Sequence, residues 1–377
     1  MSKLQELIDR LCPNGVEFKP LGEVATLSRG KVYSKEYLRD NPGKYPVYSS
    51  QTANDGVLGK IDSFDYDGEY LTWTTDGAYA GTIFHRKGKF SITNVCGLIT
   101  LNSNNIILRF LYYWLSIEAP KYVYTGMGNP KLMSNQVTPI PIPIPPLAVQ
   151  EEIVRILDRF ADYAAELQAE LQARRLQYEY YRNLLLTFNP SAYGCGTDDA
   201  QKDCLWLTLK DVAIIKNGKD YKHCNNGDYP VYGSGGIMTY VDQYCYDKPT
   251  VILPRKGSIG KIHYLDTPFW NVDTAYYTII NTQLIVPKFL YYFLTTIDLE
   301  KKNCGKGAVP SLTQDILYRI SIPIPPLELQ EKIVAILDRF ETLVNDLSKG
   351  LPAEIEAVKA RYEYYRNKLL GFKEKPA

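Results

Sequence analysis

Hydrophobic positions recur every three to four residues along two stretches of the chain, and this spacing predicts two long helices. In the first, counted as heptads from Ile153, ten of the eleven a and d positions are apolar or aromatic, and only Arg174 is charged. The second keeps the same phase from Ile333, then carries four extra residues around Gly350 and Pro352, where we expect a bend or restart. The predicted seam residues are Ile153, Leu157, Phe160, Leu167, Leu171, Tyr178 and Tyr181, and then Ile333, Leu337, Phe340, Val344, Leu347, Tyr362 and Tyr365.

The same proline-rich lead-in precedes both helices. IPIPPLAVQEEIVRILDRF begins at Ile142 and returns as IPIPPLELQEKIVAILDRF at Ile322. Because proline has no N–H to donate, the alternation of proline and isoleucine favours an extended edge segment, with Ile140, Ile142 and Ile144 on one face. The double proline that follows suits the first turn of a helix. Each long helix is therefore predicted to begin where its proline strand ends.

The duplication extends to the segments before the prolines. LGEVATLSRGK (residues 21–31) matches LKDVAIIKNGK (209–219), and GKYPVYSS (43–50) matches GDYPVYGS (227–234). Both segments hold short runs rich in Val, Ile, Thr and Tyr, separated by Gly and Asp, and each holds one apolar helical pattern. The predicted fold class is therefore α+β, with a twisted sheet in each half of the chain.

These patterns divide the chain into four parts: a globular domain over 1–145, a helix over 146–190, a second globular domain over 191–325 and a second helix over 326–377. Helices with matching seams are expected to pair as an antiparallel coiled coil, giving a pseudo-twofold dumbbell with one domain at each end. The alternative is that each helix packs against its own domain. A tandem AELQ tetrad at 165–172 suggests a spacer whose length changes by about 6 Å per tetrad.

Composition and charge limit the class of protein. The net charge of the 377 residues is +1, so any contact with DNA must rely on locally arranged charge or on partner subunits. The seven cysteines contain no C-x-x-C, which argues against a disulfide framework, and the group around His223 and Cys224 lacks zinc-ligand spacing. No apolar run is long enough to span a bilayer and there is no signal-peptide core, so we expect a cytoplasmic protein with no membrane partner.

The sequence contains no catalytic motif of its own. It has no G-x-x-x-x-G-K-[ST] loop for ATP and no Asn/Asp-Pro-Pro-aromatic tetrapeptide of an amino-methyltransferase. The nearest approach, NPSAY from Asn189, lacks the second proline. The three histidines occupy unrelated positions of the repeat and do not suggest a catalytic triad. No catalytic and no metal-binding residues are therefore predicted.

Each proline strand also follows a glycine-rich segment, TGMGNPKLMSNQV in the first half and CGKGAVPSLTQDI in the second. Together with the repeated IPIPPLxxQE lead-ins and the paired LGEVATLSRGK-like openings, this order of motifs closely resembles the specificity subunit of type I restriction–modification enzymes. The resemblance covers nearly the whole chain. It implies two target recognition domains, each reading one half of a split, asymmetric DNA sequence, with the family's two conserved helices setting the gap.

The resemblance also implies partners. Two adenine-N6 methyltransferase subunits would dock around this chain, with two restriction/translocase subunits outside them. S-adenosylmethionine, ATP and Mg²⁺ would then belong to the partner subunits, and this chain would hold no cofactor. The YEYYRN tyrosines at the end of each helix are predicted to line the seam or to face a partner, with Arg182 and Arg366 beside them.

Side chains that can hydrogen-bond to bases are expected in polar loops at three places in each domain: near its start, in a mid-domain turn and before the proline strand. In the first domain the candidates are Ser28, Arg29, Lys31, Lys35, Thr74, Thr75, Asp76, Asn129 and Lys131. In the second they are Lys216, Asn217, Lys219, Lys222, Arg255, Lys256, Ser258, Lys306 and Ser311. The alignment sets Asp76-Gly77 opposite Lys256-Gly257, so one shared loop is predicted to carry different chemistry in the two domains.

Two other functions stay open from the sequence. The chain would be a stand-alone methyltransferase or nuclease with tandem recognition domains if, by itself, it bound S-adenosylmethionine. It would be an interaction protein, a coiled coil presenting two ligand domains, if it failed to bind DNA even beside methyltransferase subunits.

Overall fold

The computed structural model describes residues 3–126, 128–188, 204–302, 310–346 and 348–376. The chain forms two compact units, Met1–Glu166 with Ile355–Ala377, and Leu167–Glu354. These boundaries differ from the predicted ones, because each unit combines a globular domain with part of both long helical segments. Lys306, Leu347 and the NPSAY segment lie outside the described residues.

The first unit contains a six-stranded sheet in the order β2-β7-β5-β6-β3-β4, with a parallel contact between β3 and β6 and antiparallel contacts elsewhere. Its strands are β1 (Phe18–Pro20), β2 (Ala25–Arg29), β3 (Pro42–Tyr48), β4 (Val57–Ile61), β5 (Tyr66–Thr74), β6 (Ile83–Ile92), β7 (Cys96–Leu101) and β8 (Pro141–Pro143). Its helices are α1 (Lys3–Leu11), α2 (Leu21–Val24), α3 (Lys35–Asp40), α4 (Leu108–Glu118), α5 (Ser134–Val137), the start of α6 (Leu147–Leu186) and, from Ile355, the rest of α11 (Leu351–Leu369), with 3-10 turns at Ala53–Gly56 and Ala119–Tyr122.

The second unit divides the equivalent strands between two sheets, ordered β10-β16-β13-β14 and β12-β11-β15. Its strands are β9 (Leu205–Thr208), β10 (Ala213–Asn217), β11 (Tyr229–Gly233), β12 (Gly236–Val241), β13 (Thr250–Pro254), β14 (His263–Leu265), β15 (Trp270–Asn271), β16 (Ala275–Ile280) and β17 (Ser321–Ile324). Its helices are the part of α6 from Leu167 onward, α7 (Leu209–Val212), α8 (Pro287–Thr295), α9 (Gln314–Tyr318), α10 (Leu327–Asn345) and the start of α11 (Leu351–Leu369), with a 3-10 turn at Glu300–Lys302. The long strand β6 of the first unit is replaced in the second by two short strands, β14 and β15. Pro268 lies between them, and it interrupts the strand because a proline cannot donate a ladder hydrogen bond. The predicted α+β class is confirmed.

The proline strands form short two-stranded edges. β8 pairs antiparallel with β1, and β17 pairs antiparallel with β9. Ile140 and Ile142 are fully buried in the core of the first unit, and Ile144 is partly buried against it. The predicted edge position and the shared isoleucine face are both confirmed.

A buried glutamine joins each long helix to its own domain. The side-chain carbonyl of Gln150 accepts the N–H of Ile107 at 2.8 Å, and its amide donates to the carbonyls of Asn105 at 2.7 Å and Pro145 at 2.8 Å. Gln330 repeats the pattern with the N–H of Val286 at 2.8 Å and the carbonyls of Leu284 at 3.1 Å and Pro325 at 2.8 Å. Ile107 is the N-cap residue of α4, so the glutamine satisfies a helix-end N–H that lacks a side-chain cap of its own.

An aspartate two turns further along adds a second link. Asp158 Oδ1 accepts from Arg109 Nε at 2.8 Å and from the Tyr113 hydroxyl at 2.5 Å. Burial, followed by the bond to Asp158, raises the pKa of Tyr113, so this phenol stays protonated and donating. The equivalent residues of the second unit are Asp338, Lys288 and Tyr292, with Lys288 Nζ 2.8 Å and the Tyr292 hydroxyl 2.5 Å from Asp338 Oδ1. Each helix is thereby attached to its own domain at two points, the buried glutamine and the aspartate two turns later.

In the first unit the seam residues of α6 pack against the globular domain and also pair with the other long helix, so both predicted arrangements occur. Ile153 and Leu157 are fully buried in the core of the globular domain, in a cluster that also contains Leu370 beyond the end of α11. Further along, Phe160 stacks on Tyr365 with ring centroids 5.5 Å apart. The C-terminal end of α11 therefore meets the N-terminal half of α6, and the two helices run antiparallel.

The second unit repeats this arrangement with the other end of α6. Ile333 and Leu337 of α10 are buried in the domain core together with Leu186, and Tyr181 stacks on Phe340 at 5.7 Å. Among the other predicted seam residues, Leu167, Leu171 and Val344 are buried, Tyr178 and Tyr362 are half-buried, and Tyr181 and Tyr365 are 36% and 41% exposed. These two tyrosines are therefore more exposed to solvent than the heptad predicts, because each stacks on a partner ring with one face only.

The predicted interruption of the second long helix is confirmed. α10 ends at Asn345 and α11 begins at Leu351. Between them Asp346 accepts the N–H of Ser348 at 2.7 Å, a local turn that competes with continued helix. The interruption falls where the sequence carries four extra residues around Gly350 and Pro352.

A buried carboxylate secures the start of α6. Glu152, 4% exposed, accepts from Arg155 Nη2 at 2.5 Å and from Lys3 Nζ at 3.0 Å. The hydrogen bond from Arg155, and then that from Lys3, lower the pKa of Glu152 to about 2 against the burial that opposes them. The equivalent position of the second helix is Lys332, which is exposed.

Glu152→Gln is expected to lower the free energy of unfolding at neutral pH by about 1.5–3 kcal/mol, because charge-assisted hydrogen bonds are lost. The folded-state pKa is depressed, so the carboxylate's contribution is complete above its ordinary value of 4.5 and disappears as pH falls towards about 2. Urea titrations over this range should show the wild-type advantage shrinking with acidification. Lys332→Gln should leave the free energy of unfolding unchanged. If Glu152→Gln lowered this free energy by the same amount at every pH, the stabilising role assigned to the Glu152 carboxylate would be contradicted.

Candidate nucleic-acid interface

Three segments that are far apart in sequence meet at one edge of the first unit: the end of β2, the turn after β5 and the segment before α5. Arg29 Nη2 donates to Met133 Sδ at 2.8 Å. Asp76 and Lys131 face each other in an antiparallel backbone bridge, with Lys131 Nζ 4.0 Å from Asp76 Oδ1. The structure therefore brings candidates from all three predicted places onto one edge.

The second unit builds the same edge from equivalent segments. Gln314 Nε2 donates to Asn217 Oδ1 at 3.4 Å, which joins the start of α9 to the end of β10. Lys256 and Ser311 face each other in an antiparallel bridge, as Asp76 and Lys131 do in the first unit. Four of the sequence candidates of this unit therefore lie within or beside one set of contacts: Asn217, Arg255, Lys256 and Ser311.

The backbone of the mid-domain turn is the same in both units. Gly77 and Gly257 have φ of 96° and 82°, in the left-handed region that favours glycine. Each donates its N–H at 3.0 Å to the carbonyl of a proline in the opposite segment. The predicted alignment of Asp76 with Lys256 is thus confirmed at the level of backbone hydrogen bonds.

The side chains on this shared backbone differ in charge and in hydrogen-bonding capacity. Asp76 accepts from the Thr75 hydroxyl at 2.7 Å and has Lys131 opposite, whereas Lys256 is exposed and has Ser311 opposite. A carboxylate accepts from the amino group of cytosine, while a lysine donates to O6 and N7 of guanine. The two edges therefore offer different partners to a base.

Two predicted contacts are wrong, because Thr74 and Thr75 are fully buried. The Thr74 hydroxyl donates to the carbonyl of Tyr79. The Thr75 hydroxyl lies 2.7 Å from Asp76 Oδ2 and 2.9 Å from the carbonyl of Val95, so these two acceptors share its single proton. Strand β5 continues to Thr74 in the middle of the sheet, so these hydroxyls hold the turn in place and cannot reach a base. The sequence predicts the turn, but it does not predict that Thr74 and Thr75 are buried at its start.

Lys31 is exposed and lies at the same edge, where it is held by a carboxylate. Its Nζ is 2.5 Å from Asp65 Oδ1, and the Tyr33 hydroxyl donates to the other oxygen at 2.6 Å. Burial alone would raise the pKa of Asp65, but the hydrogen bonds from Lys31 and Tyr33 outweigh it and lower the pKa. Hydrogen bonding to Asp65 raises the pKa of Lys31. The lysine is therefore a fixed cation, suited to a phosphate contact.

The remaining candidates differ in position. Ser28, Asn129, Lys216, Lys219 and Ser258 are exposed on or next to the segments that form the two edges. Arg255 is half-buried and donates to the carbonyl of Asp273 at 3.0 Å. Lys35 in α3 and Lys222 are exposed, but no contact among the described residues ties either one to an edge.

One loop at the edge of the first unit was not among the sequence candidates. It joins β3 to β4, and its first residue, Ser49, accepts from the Thr93 hydroxyl at 3.1 Å. Thr93 is in turn bridged to Lys31. The run Ala-Asn-Asp-Gly in this loop is typical of a turn and was the available signal.

The described residues offer no metal site of the kind considered from the sequence. Within the ranges given above, no group of three or more His, Cys, Asp or Glu residues is placed to hold a metal ion. Burial raises the pKa of the Cys204, Cys224 and Cys245 thiols. The same part of the chain has no helix with the length and apolar character needed to cross a membrane.

Known proteins share this organisation. A model of the type I restriction modification DNA specificity domain matches the chain twice, over residues 13–174 and 205–357. A predicted type I specificity subunit of Mycoplasma pneumoniae is 31% identical over 364 residues, 92% of this chain and 95% of the relative. Another from the same organism is 32% identical over 344 residues, 84% of this chain and 97% of the relative. The fold is similar to that of a type I restriction–modification S subunit from M. genitalium, with a TM-score of 0.65 at 19% identity over 94% of this chain and 96% of that one.

Proposed function

Because this chain belongs to the type I restriction–modification DNA specificity family, we propose that it is the non-catalytic subunit that selects the target sequence of such a complex. Each globular domain binds one half of a bipartite, asymmetric site in double-stranded DNA through the edge described above. The observation that carries this proposal is the shared backbone with different side chains, Asp76 and Lys131 in one unit against Lys256 and Ser311 in the other. One scaffold with two chemistries is what two different half-sites require.

The long helices set the gap between the half-sites and bind two methyltransferase subunits, with restriction/translocase subunits attached outside them. S-adenosylmethionine, ATP and Mg²⁺ belong to those partners, since this sequence carries neither a phosphate loop nor an amino-methyltransferase tetrapeptide. A net charge of +1 fits a subunit whose partners supply much of the phosphate contact. As a subunit that binds DNA, the protein is proposed to act in the cytoplasm.

Lys256→Ala tests this assignment in the full chain co-expressed with the methyltransferase subunits. Losing one base contact costs about 1–3 kcal/mol of discrimination, so methylome sequencing should show a relaxation of about ten- to a hundred-fold at one position of one half-site. The other half-site should stay unchanged. Lys210→Ala, in α7 before the opposite end of β10, is the matched exposed control and should leave both half-sites intact.

Three results would count against the proposed function. One is equal relaxation of both half-sites in Lys256→Ala, which would mean that the edge is not specific to one half. Another is the absence of any split adenine-methylation motif in the wild type. The third is clear binding of S-adenosylmethionine by the isolated chain, which would favour a stand-alone methyltransferase.

A further inference from the structure

The loop between β3 and β4 holds two consecutive residues in a conformation that side-chain-bearing residues rarely adopt. Asn54 has φ 51° and ψ 42°, and Asp55 has φ 52° and ψ 31°. Of the residues that the structure describes, these alone have a positive φ without being glycine. A residue held this way costs about 1 kcal/mol or more and persists only where its surroundings enforce it. Asn and Asp tolerate this conformation better than other side-chain-bearing residues, and a contact that fixes the loop offsets the cost that remains.

A buried arginine holds it. Arg86 of β6 is 3% exposed, and it donates from Nη1 to Asp55 Oδ2 at 2.6 Å and from Nη2 to the Asp55 carbonyl at 2.8 Å. Its guanidinium lies 3.6 Å from the ring centroid of Tyr48 and 4.2 Å from that of Phe84. A buried cation is retained only where such partners offset its desolvation. Arg86 is therefore committed to fixing the backbone and side chain of Asp55.

The fold itself does not require this loop. In the second unit the equivalent hairpin closes with Gly233 paired to Gly236, so only two residues turn the chain. The strand register places Leu265 where the first unit has Arg86. The long loop and its arginine thus occur together in one unit and are both absent from the described equivalent in the other. A feature that the architecture can omit points to a role in binding.

The loop presents the side chain of Asn54. Asp55 is occupied by Arg86, and the Asn54 carbonyl accepts the N–H of Val57. The Asn54 side chain is exposed, and its amide forms no hydrogen bond to any described residue. The base of the loop adjoins the interface through Ser49 and Thr93. A preorganised amide therefore stands free on a loop whose base, at Ser49, contacts the predicted DNA edge.

We propose that Asn54 reads an adenine in the half-site bound by the first unit, and that Arg86 acts through Asp55 as a positioning residue. An asparagine amide matches the major-groove edge of adenine, donating to N7 and accepting from the N6 amino group. A loop fixed before binding loses little conformational entropy on contact with DNA. This inference rests on the proposed function and assigns one position of one half-site to one side chain.

Asn54→Gly is the decisive variant, because glycine adopts the left-handed conformation without strain and folding should be kept. The full chain is assembled with its methyltransferase subunits, and methylation rates are measured on duplexes carrying each single-base change in the first half-site. The expected result is a drop of about ten- to a hundred-fold in discrimination at one adenine. Asn104→Gly removes an exposed turn asparagine after the opposite end of β7, and it should leave every preference as in the wild type.

Arg86→Leu tests positioning, since leucine occupies the same register position in the second unit. Discrimination should fall at the same adenine and nowhere else, and Arg86→Leu should add nothing further in the Asn54→Gly background. Additive losses, or a loss spread over several positions, would overturn the positioning role.

Two outcomes would overturn the assignment of Asn54. One is wild-type discrimination at every position of the half-site in Asn54→Gly. The other is an equal loss of rate on all duplexes, which would identify a phosphate contact. The wild-type arm tests the proposed function separately, because a complex without any preference among the duplexes would overturn that function whatever the variants do.

Discussion

Replacing Gln150 with leucine is expected to destabilise the first unit by about 3–5 kcal/mol, among the largest effects of any single substitution in this chain. Leucine is similar in size but cannot hydrogen-bond. The N–H of Ile107 and the carbonyls of Asn105 and Pro145 would then lose their partner at a site where Gln150 is fully buried. Each unsatisfied buried group costs about 1–3 kcal/mol, with some relief from local water entry.

Hydrogen exchange followed by mass spectrometry gives a local measurement of this effect. In Gln150→Leu the peptide containing Ile107 should lose protection, while the one containing Val286 should keep it. Gln330→Leu should give the reverse pattern, because Gln330 makes the equivalent contacts in the second unit. Gln172→Leu, at an exposed position of α6, is the control and should protect both as in the wild type. Equal exchange in all four proteins would show that the glutamines do not hold the joints.

The buried contacts of Gln150 could not be predicted from the sequence, although much of the fold could. Both helices, their proline strands, the break near Gly350 and the α+β class follow from local patterns, because periodicity and proline act within a few residues. Gln150 has the local character of a polar surface residue. Its burial depends on Ile107, the N-cap of α4, which lies more than forty residues earlier and cannot cap itself. Only the repetition of the glutamine in both lead-ins offered a signal.

The candidate interface also has features that could be predicted from the sequence and features that could not. The match between Asp76 and Lys256 was available, since a glycine follows each and the surrounding sequences align. The burial of Thr74 and Thr75 was not, because it depends on which strands flank β5. The loop held by Arg86 was hidden for a related reason. An arginine in a strand is indistinguishable from a surface charge until Asp55, thirty-one residues earlier, is placed against it.

Deleting the tetrad Ala165–Gln168 is expected to abolish methylation of the original bipartite site and to create a new one with the same half-sites and a shorter gap. Helix α6 is continuous from Leu147 to Leu186, and four residues contribute about 6 Å of its length, the rise of one to two base pairs. The deletion rotates the C-terminal part of α6 by only about 40°, so Leu171 takes the buried place of Leu167. Methylome sequencing of cells that carry the variant and its methyltransferase subunits measures both the half-sites and the gap.

Two further variants separate length from composition. Replacing Glu166 and Gln168 with alanine keeps the length and should leave the gap unchanged, because both side chains are exposed. Deleting only Ala169 and Glu170 turns the C-terminal part of the helix by about 200° and moves Leu171 away from its buried face. This should cost assembly or activity instead of giving a shorter gap. If the tetrad deletion altered a half-site while the gap stayed the same, α6 would not act as the spacer, and the gap would have to be set by the recognition domains themselves.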